Sequence, residues 1–272
     1  MSDVNGNAVS AQASQETAWE RQGSGPPLAL VHGLGLNRAM WQWQLPALVP
    51  HFDVLTYDLL GHGESSKPVG VPDLTMFSEQ LLRLMDRCGI ERAAVAGFSL
   101  GGMIVRRFAL DHPDRLTAMA ILHSAHDRTP GEREAILERV RQAEAAGPSS
   151  TADAALERWF TSDFRAANPA VMALIRDWIT SNDAAVYPGI YRVLAEGDGE
   201  IAREIHRIAS PALVMTGEDD LGNSVEMARK MAGCIAGARE VILPGLRHMA
   251  LAESPGAFNE PLVDFFRDAL SV

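Results

Sequence analysis

Apolar residues fall along this chain in short unbroken runs, separated by longer stretches in which they recur every three or four positions. The runs are Leu28–His32 (LALVH), Phe52–Leu59 (FDVLTYDL), Ala93–Phe98, Leu116–Ala125 (LTAMAILHSA), Pro211–Gly217 (PALVMTG) and Arg239–Gly245 (REVILPG). Continuous apolar runs of this length, bounded by turn residues, predict strands buried on both faces, as in a parallel sheet. A poorer pattern in ETAWERQGSGPP suggests a short edge strand before the first of them. The intervening stretches Asn37–Leu48, Leu74–Cys88, Gly101–Pro113, Asn223–Ile235 and Pro255–Leu270 read as helices. In the second of these, Leu74, Phe77, Leu81, Leu84, Met85 and Cys88 form one stripe that would pack on a sheet, and Gly89 suits a C-cap. Strand and helix in alternation, with short loops, predict right-handed βαβ crossovers.

After Asp127 the rhythm stops. Arg128–Ile208 holds no convincing strand but several helical patches, punctuated by Pro148-Ser149-Ser150, Asn168-Pro169 and Pro188-Gly189. The expected organisation is a core formed by residues 1–127 and 209–272, with 128–208 inserted as a helical cap. The polar, small residues at positions 1–15 predict a flexible lead-in.

The stretch Ala93–Gly102 (AAVAGFSLGG) organises the rest. Gly-x-Ser-x-Gly between a strand and a helix predicts a sharp turn that exposes the Ser99 hydroxyl at the carboxyl end of the strand, with the next helix aiming its amino terminus there. A serine hydroxyl needs a base to take its proton and a third group to orient that base. Those partners should lie in loops at the carboxyl ends of later strands, in the order acid then histidine. His248, just beyond REVILPG, is the expected base. Asp220, in the Gly217-Glu218-Asp219-Asp220 loop, is the expected acid, with Asp219 second and Asp127, after the preceding strand, as a substitute. Backbone amides of Leu34 and Leu100 are the expected donors to an oxyanion. His32 and His62 are expected mainly to organise their loops. His32, His123, Trp159, Phe160, Trp178, Tyr187 and Arg247 are candidate pocket residues, although most of the cap aromatics, Tyr191 among them, could equally be core.

Charge and composition narrow the partners. Of 272 residues 47% are hydrophobic and 22% charged, and the net charge is −11. An acidic surface argues against nucleic acid or an anionic membrane, because a phosphate backbone needs a basic one. The first twenty residues lack a basic start and an apolar core, so neither a signal peptide nor an anchor is expected, and the chain reads as cytoplasmic. Cys88 and Cys234 predict free thiols rather than a disulfide framework or a zinc cluster. No metal or organic cofactor is expected.

HGLG, YDLLGHGES, GFSLGG, TGEDD and RHMALAESP, in this order and spacing, resemble the α/β-hydrolase superfamily from about Trp19 to the carboxyl end. Within it, the compact HGLG, the GFSLGG elbow, Trp159-Phe160 and HPDRLTAMAILHSA are similar to the 3-oxoadipate enol-lactonase-like group of small serine hydrolases. The resemblance implies a mostly parallel, eight-stranded sheet flanked by helices, with the cap after the sixth strand. It also implies Ser99, Asp220 and His248 as nucleophile, acid and base. Two departures stand out: Arg247 where relatives often have glycine, and no proline soon after Asp220.

Three functions compete. The first is hydrolysis of a small-molecule ester or lactone through an acyl-enzyme, as for an enol-lactone in aromatic-compound catabolism. The second is carbon–carbon bond hydrolysis of a dienoic ring-cleavage product, with a carboxylate held by an arginine such as Arg106, Arg107, Arg165 or Arg176. The third is a non-catalytic receptor or scaffold on the same fold. A serine at position 99 disfavours haloalkane dehalogenation, which needs a carboxylate there.

Overall fold

The computed structural model describes residues 15–272, so the lead-in expected over residues 1–15 lies, but for Gln15, outside the described residues. Seven strands form one sheet: β1 (Trp19–Gly23), β2 (Pro27–Val31), β3 (Asp53–Tyr57), β4 (Ala93–Phe98), β5 (Leu116–Leu122), β6 (Ala212–Gly217) and β7 (Arg239–Leu243). Their order is β1-β3-β2-β4-β5-β6-β7, parallel throughout except that β1 runs antiparallel to β3. The sheet is therefore seven-stranded among the described residues, not eight-stranded. A single strand precedes β2, so the helical insertion follows the fifth strand rather than the sixth.

The described residues form twelve α-helices. Three precede the insertion: α1 (Leu45–Leu48), α2 (Leu74–Arg87) and α3 (Leu100–Asp111). The insertion carries α4 (Pro130–Ala146), α5 (Ser149–Trp159), α6 (Ser162–Ala167), α7 (Pro169–Thr180), α8 (Tyr187–Glu196) and α9 (Asp198–Glu204). The last three are α10 (Val225–Cys234), α11 (Ala250–Glu253) and α12 (Pro255–Leu270). Local chemistry sets the helix ends. Asp73 accepts from the Met76 amide at the start of α2, and Thr129 with Glu132 forms a reciprocal capping box at the start of α4. The single helix expected over Asn37–Leu48 is instead a 3-10 turn, Arg38–Trp43, followed by α1. Pro46 lacks an amide hydrogen and is tolerated only in a first turn, so the helix has to restart there.

Successive side chains of the central strands point to opposite faces, which makes two apolar layers. Ala29, Val31, Leu55 and Val95 pack with α2, α3 and α10, while Leu28, Leu30, Val54 and Ala96 pack with Trp41 and α12. The insertion joins both layers: Ile136, Val140, Tyr187 and Ile190 extend the first, and Ala152, Leu156, Ile175 and Trp178 extend the second. Its helices are held to the sheet by burial that is continuous with the main core. Among the described residues no helix is long and apolar enough to cross a membrane.

Candidate active site

At the end of β4 the backbone makes the abrupt corner expected of it. Ser99 has φ +55°, a left-handed conformation that strains any residue with a side chain. The corner closes tightly because its flanking glycines lack a Cβ. One added to Gly97 would sit 2.2 Å from the Gly101 carbonyl oxygen, and one on Gly102 would sit 2.5 Å from Ser124 Cβ. The Ser99 amide donates to Leu122 O at 2.8 Å, tying the corner to β5. Leu100 opens α3, so its N–H has no acceptor within the helix and adds to the positive end of the helix dipole.

The loop after β2 comes up beside the serine: a Cβ on Gly33 would lie 3.2 Å from Ser99 Cβ. Two buried histidines hold this loop. His62 Nε2 accepts from the Gly35 amide at 3.0 Å, and His32 Nε2 accepts from the Leu59 amide at 2.9 Å while its Nδ1 donates to Gly33 O at 2.8 Å. Leu36 N–H turns back to Gly33 O. Among the described residues no hydrogen bond takes the Leu34 N–H. His32 and His62 thus organise the loops, and His32 is not part of the cavity lining.

Burial pushes His32 down to about 4, and burial together with neighbouring His32 pushes His62 down to about 3. The unfolded chain takes up protons on these rings below about pH 6.5, whereas the folded protein refuses them until much lower. Their contribution to stability is therefore complete above about pH 6.5 and is lost as the pH falls toward 4, at up to about 1.4 kcal/mol per pH unit for each ring. Urea midpoints should fall between pH 7 and pH 5. They should fall less steeply in His32→Gln, whose amide oxygen still accepts from Leu59 but does not titrate; equal slopes would exclude this origin.

The loops after β6 and β7 bring the next two groups together. His248 Nδ1 donates to Asp220 Oδ2 at 2.8 Å. Asp220 Oδ1 accepts from the amides of Gly222 and Asn223 at 3.0 and 3.1 Å, an Asx turn that fixes the direction of the carboxylate. Burial pushes the Asp220 carboxyl up, but the His248 imidazole and the hydrogen bond from His123 outweigh it and hold the group below the usual carboxylate range. Asp219 is exposed, and Asp127 is ion-paired with Lys230 on the surface. The His248 ring is packed against Phe98 and Trp159, with centroids 4.8 and 5.8 Å away.

Ser99, Leu34, Asp220 and His248 line one cavity of about 200 Å³ whose far wall comes from α4, α5 and α8. Of the candidate pocket residues, Trp159 and Tyr187 line it. His123, Phe160, Trp178 and Arg247 do not. His123 is buried behind Asp220, Phe160 stacks on Phe164, and Trp178 packs edge-on against Trp43. Arg247 donates to Glu157 O and Phe160 O at 2.9 and 3.1 Å, and the Met249 amide donates to Trp159 O. It caps the carboxyl end of α5, where a cation is favoured, and ties that helix to the His248 loop.

The arginines singled out from the sequence lie elsewhere. Arg106 is buried against Ser124 and Ala125, Arg107 pairs with Asp111, Arg176 pairs with Asp153, and Arg165 lines a separate surface depression. Arg128, Arg139 and Arg158 line the cavity instead. Arg128 is engaged by Leu194 O and Asp198. Among the described residues, neither Arg139 nor Arg158 has a carboxylate partner. Burial, and then the neighbouring Arg139, push the Arg158 guanidinium below its ordinary value. The adjacent Trp159-Phe160 pair marked this helix end in the sequence. Which of its charged neighbours turned inward was not marked.

His123, Asp220 and His248 are also a set of donor atoms, all within 4.8 Å of one another, that could surround a metal ion. The hydrogen bonds from both imidazoles to Asp220 Oδ2 already account for all three groups.

Residues 26–255 match the profile of the alpha/beta hydrolase fold family. Among relatives, 3-oxoadipate enol-lactonase 2 of Acinetobacter baylyi is 29% identical over 88% of this chain and 87% of its own. The (E)-2-((N-methylformamido)methylene)succinate hydrolase of the same organism is 28% identical over 89% and 90%. The crystal structure of the enol-lactonase from Burkholderia xenovorans LB400 superposes with a TM-score of 0.87 at 34% identity, over 93% of this chain and 97% of that one. With the strand order, the cramped serine corner and these likenesses in agreement, the chain belongs to the α/β-hydrolase family and is a hydrolase.

Proposed function

We propose that this hydrolase cleaves a small ester or lactone bearing a carboxylate, through an acyl-enzyme on Ser99. The observation that carries the reading is one cavity lined by a serine on a strained corner, an imidazole oriented by a carboxylate, and two unpaired arginines. His248 Nε2 takes the Ser99 proton as the hydroxyl oxygen attacks the carbonyl carbon, and Asp220 steadies the opposite Nδ1–H. The negative charge that forms on the carbonyl oxygen rests on the N–H groups of Leu34 and Leu100. The C–O bond then breaks, and His248 returns the proton to the leaving oxygen, which in a lactone stays tethered to the acyl group. Water, deprotonated by His248, attacks the acyl carbon, the bond to Ser99 Oγ breaks with the proton returning from His248 to that oxygen, and the acid is released. Residues 128–208 act as the cap that closes this space from α4, α5 and α8.

At about 200 Å³ the cavity is smaller than the roughly 300 Å³ at which drug-sized sites begin, which favours a compact substrate. Arg139 and Arg158 crowd two positive charges into it, and an anionic substrate relieves their repulsion. Relatives named for a lactone and for a succinate derivative fit that chemistry.

The reading is tested by mass spectrometry after reaction with a fluorophosphonate. The label should be found on Ser99, and an unlabelled but folded protein would exclude a serine nucleophile. Arg158→Met should lower kcat/KM about 10- to 100-fold for a carboxylate-bearing ester, the range for a charged hydrogen bond, and less than about 3-fold for a neutral ester of the same size. Equal losses on both would remove the anionic substrate. Turnover of a vinylogous diketone without turnover of esters or lactones would move the assignment to carbon–carbon hydrolysis.

A further inference from the structure

Asp220 Oδ2 accepts from two imidazoles. Besides His248, the Nδ1 of His123 donates to it at 3.0 Å. We propose that His123 is a positioning residue that shares the carboxylate with His248, fixing its plane and moderating the basicity it confers on that imidazole. This rests on the reading of His248 as the base.

The arrangement is specific. His123 directly follows β5, at φ +49°, a conformation that a non-glycine residue keeps only where its surroundings enforce it. Its amide donates to Met215 O on β6 at 2.7 Å, so the strained residue bridges the strand beside the serine and the strand that carries the acid. The ring is fully buried, stacked on Phe258 at 16° between planes, tilted against Phe98 and edge-on to His248. An ionised carboxylate only accepts, so both Nδ1 atoms facing it carry protons. The His123 Nε2 is buried with no partner among the described residues, as expected of a neutral ring in an apolar slot. Burial holds its proton affinity down. His123 is absent from the cavity lining, so it acts through Asp220 and not on substrate.

A second donor on Oδ2 withdraws charge that His248 would otherwise feel. The other groups packed around the pair are few. Phe98 of β4 and Phe258 of α12 do not titrate. Asn223 donates to the carboxylate, and Glu218 and Asp219 of the same loop are exposed. On the His248 side stand Arg247, held by α5, and the cavity residues Arg128, Glu132, Arg139 and Arg158.

The test uses His123→Phe, which keeps the stacked ring but removes the donor, and His123→Asn, whose amide nitrogen stands where Nδ1 was. In His123→Phe, kcat should fall about 10- to 100-fold, as for loss of a hydrogen bond to a charged group, with KM changed less than twofold. The acid limb of kcat/KM should move to higher pH by about half a unit or more, because His248 then faces the undivided charge. His123→Asn should restore both. Two variants with equal kcat and an unmoved acid limb would reduce His123 to packing and overturn the proposal. A measurement on the unmodified protein stands apart from activity and from the folding of variants: nitrogen-15 NMR of its histidines. A proton on Nδ1 of a neutral His123 ring is expected at pH 8 and at neutral pH. A proton on Nε2 instead overturns the proposal. Complete inertness toward esters and lactones would defeat the assigned reaction while leaving that tautomer as found.

Discussion

Ser99→Ala is expected to lower kcat by roughly ten-thousand- to a million-fold, the range seen when a serine nucleophile is removed from a working triad. The substitution deletes one hydroxyl and leaves the backbone as it was: the Ser99 amide still donates to Leu122 O, and alanine meets the same left-handed φ that serine already tolerates. Thermal stability should therefore change little. The loss converts to about 5 to 8 kcal/mol of transition-state stabilisation, far beyond what an altered surface contact supplies. Some turnover above the rate in water should persist, since the proposed oxyanion donors, the amides of Leu34 and Leu100, remain in place to stabilise attack by water. Full turnover by a pure, folded Ser99→Ala protein would move the chemistry elsewhere in the cavity.

Gly101→Ala should produce one of the largest losses of stability that a single added methyl can cause among the described residues. A Cβ at this position would lie 2.2 Å from Val31 O and 2.8 Å from His32 O, both backbone atoms that cannot swing aside. Either α3 moves away from β2 or the loop after β2 shifts, and both displace a proposed oxyanion donor. The expected cost is roughly 3 kcal/mol or more, and a fall in Tm of roughly 6 to 12 °C for a chain of this size. Activity should fall with it even well below the transition. Gly131→Ala is the control: nothing lies within 4 Å of its added Cβ, so it should stay within about 0.5 kcal/mol of the native protein. Equal Tm values for the two variants would mean that the packing at the corner is looser than described.

Much of the site was legible because its signals are local or follow from sheet order. Small residues at Gly97, Gly101 and Gly102 are demanded by close approaches inside a single strand–turn–helix unit. His248 and the acidic loop stand just after β7 and β6, where a parallel sheet presents the ends of its strands. Less legible was the selection among adjacent groups of like chemistry. Asp219 and Asp220 are neighbours, and the choice between them falls to the turn made by Gly222 and Asn223, which directs one carboxylate inward and leaves the other exposed. Arg247, a candidate pocket residue, instead caps α5 through the Phe160 carbonyl, 87 positions away from it in the chain.

The sequence by itself determined the alternation of strands and helices, the helical insertion after Asp127, the serine corner, and the residues expected to meet there. Those features follow from periodicity, glycine content and chain order, which act over a few residues or through a general rule of topology. Only the tertiary structure decided that the sheet has seven strands among the described residues, that Arg139 and Arg158 line the cavity that holds Ser99, and that His123 hydrogen-bonds to Asp220. Inward-facing and outward-facing arginines look alike along a helix, and a hydrogen bond between residues 97 positions apart leaves no local trace. Such contacts exist only once the two apolar layers have set how the helices lie over the sheet.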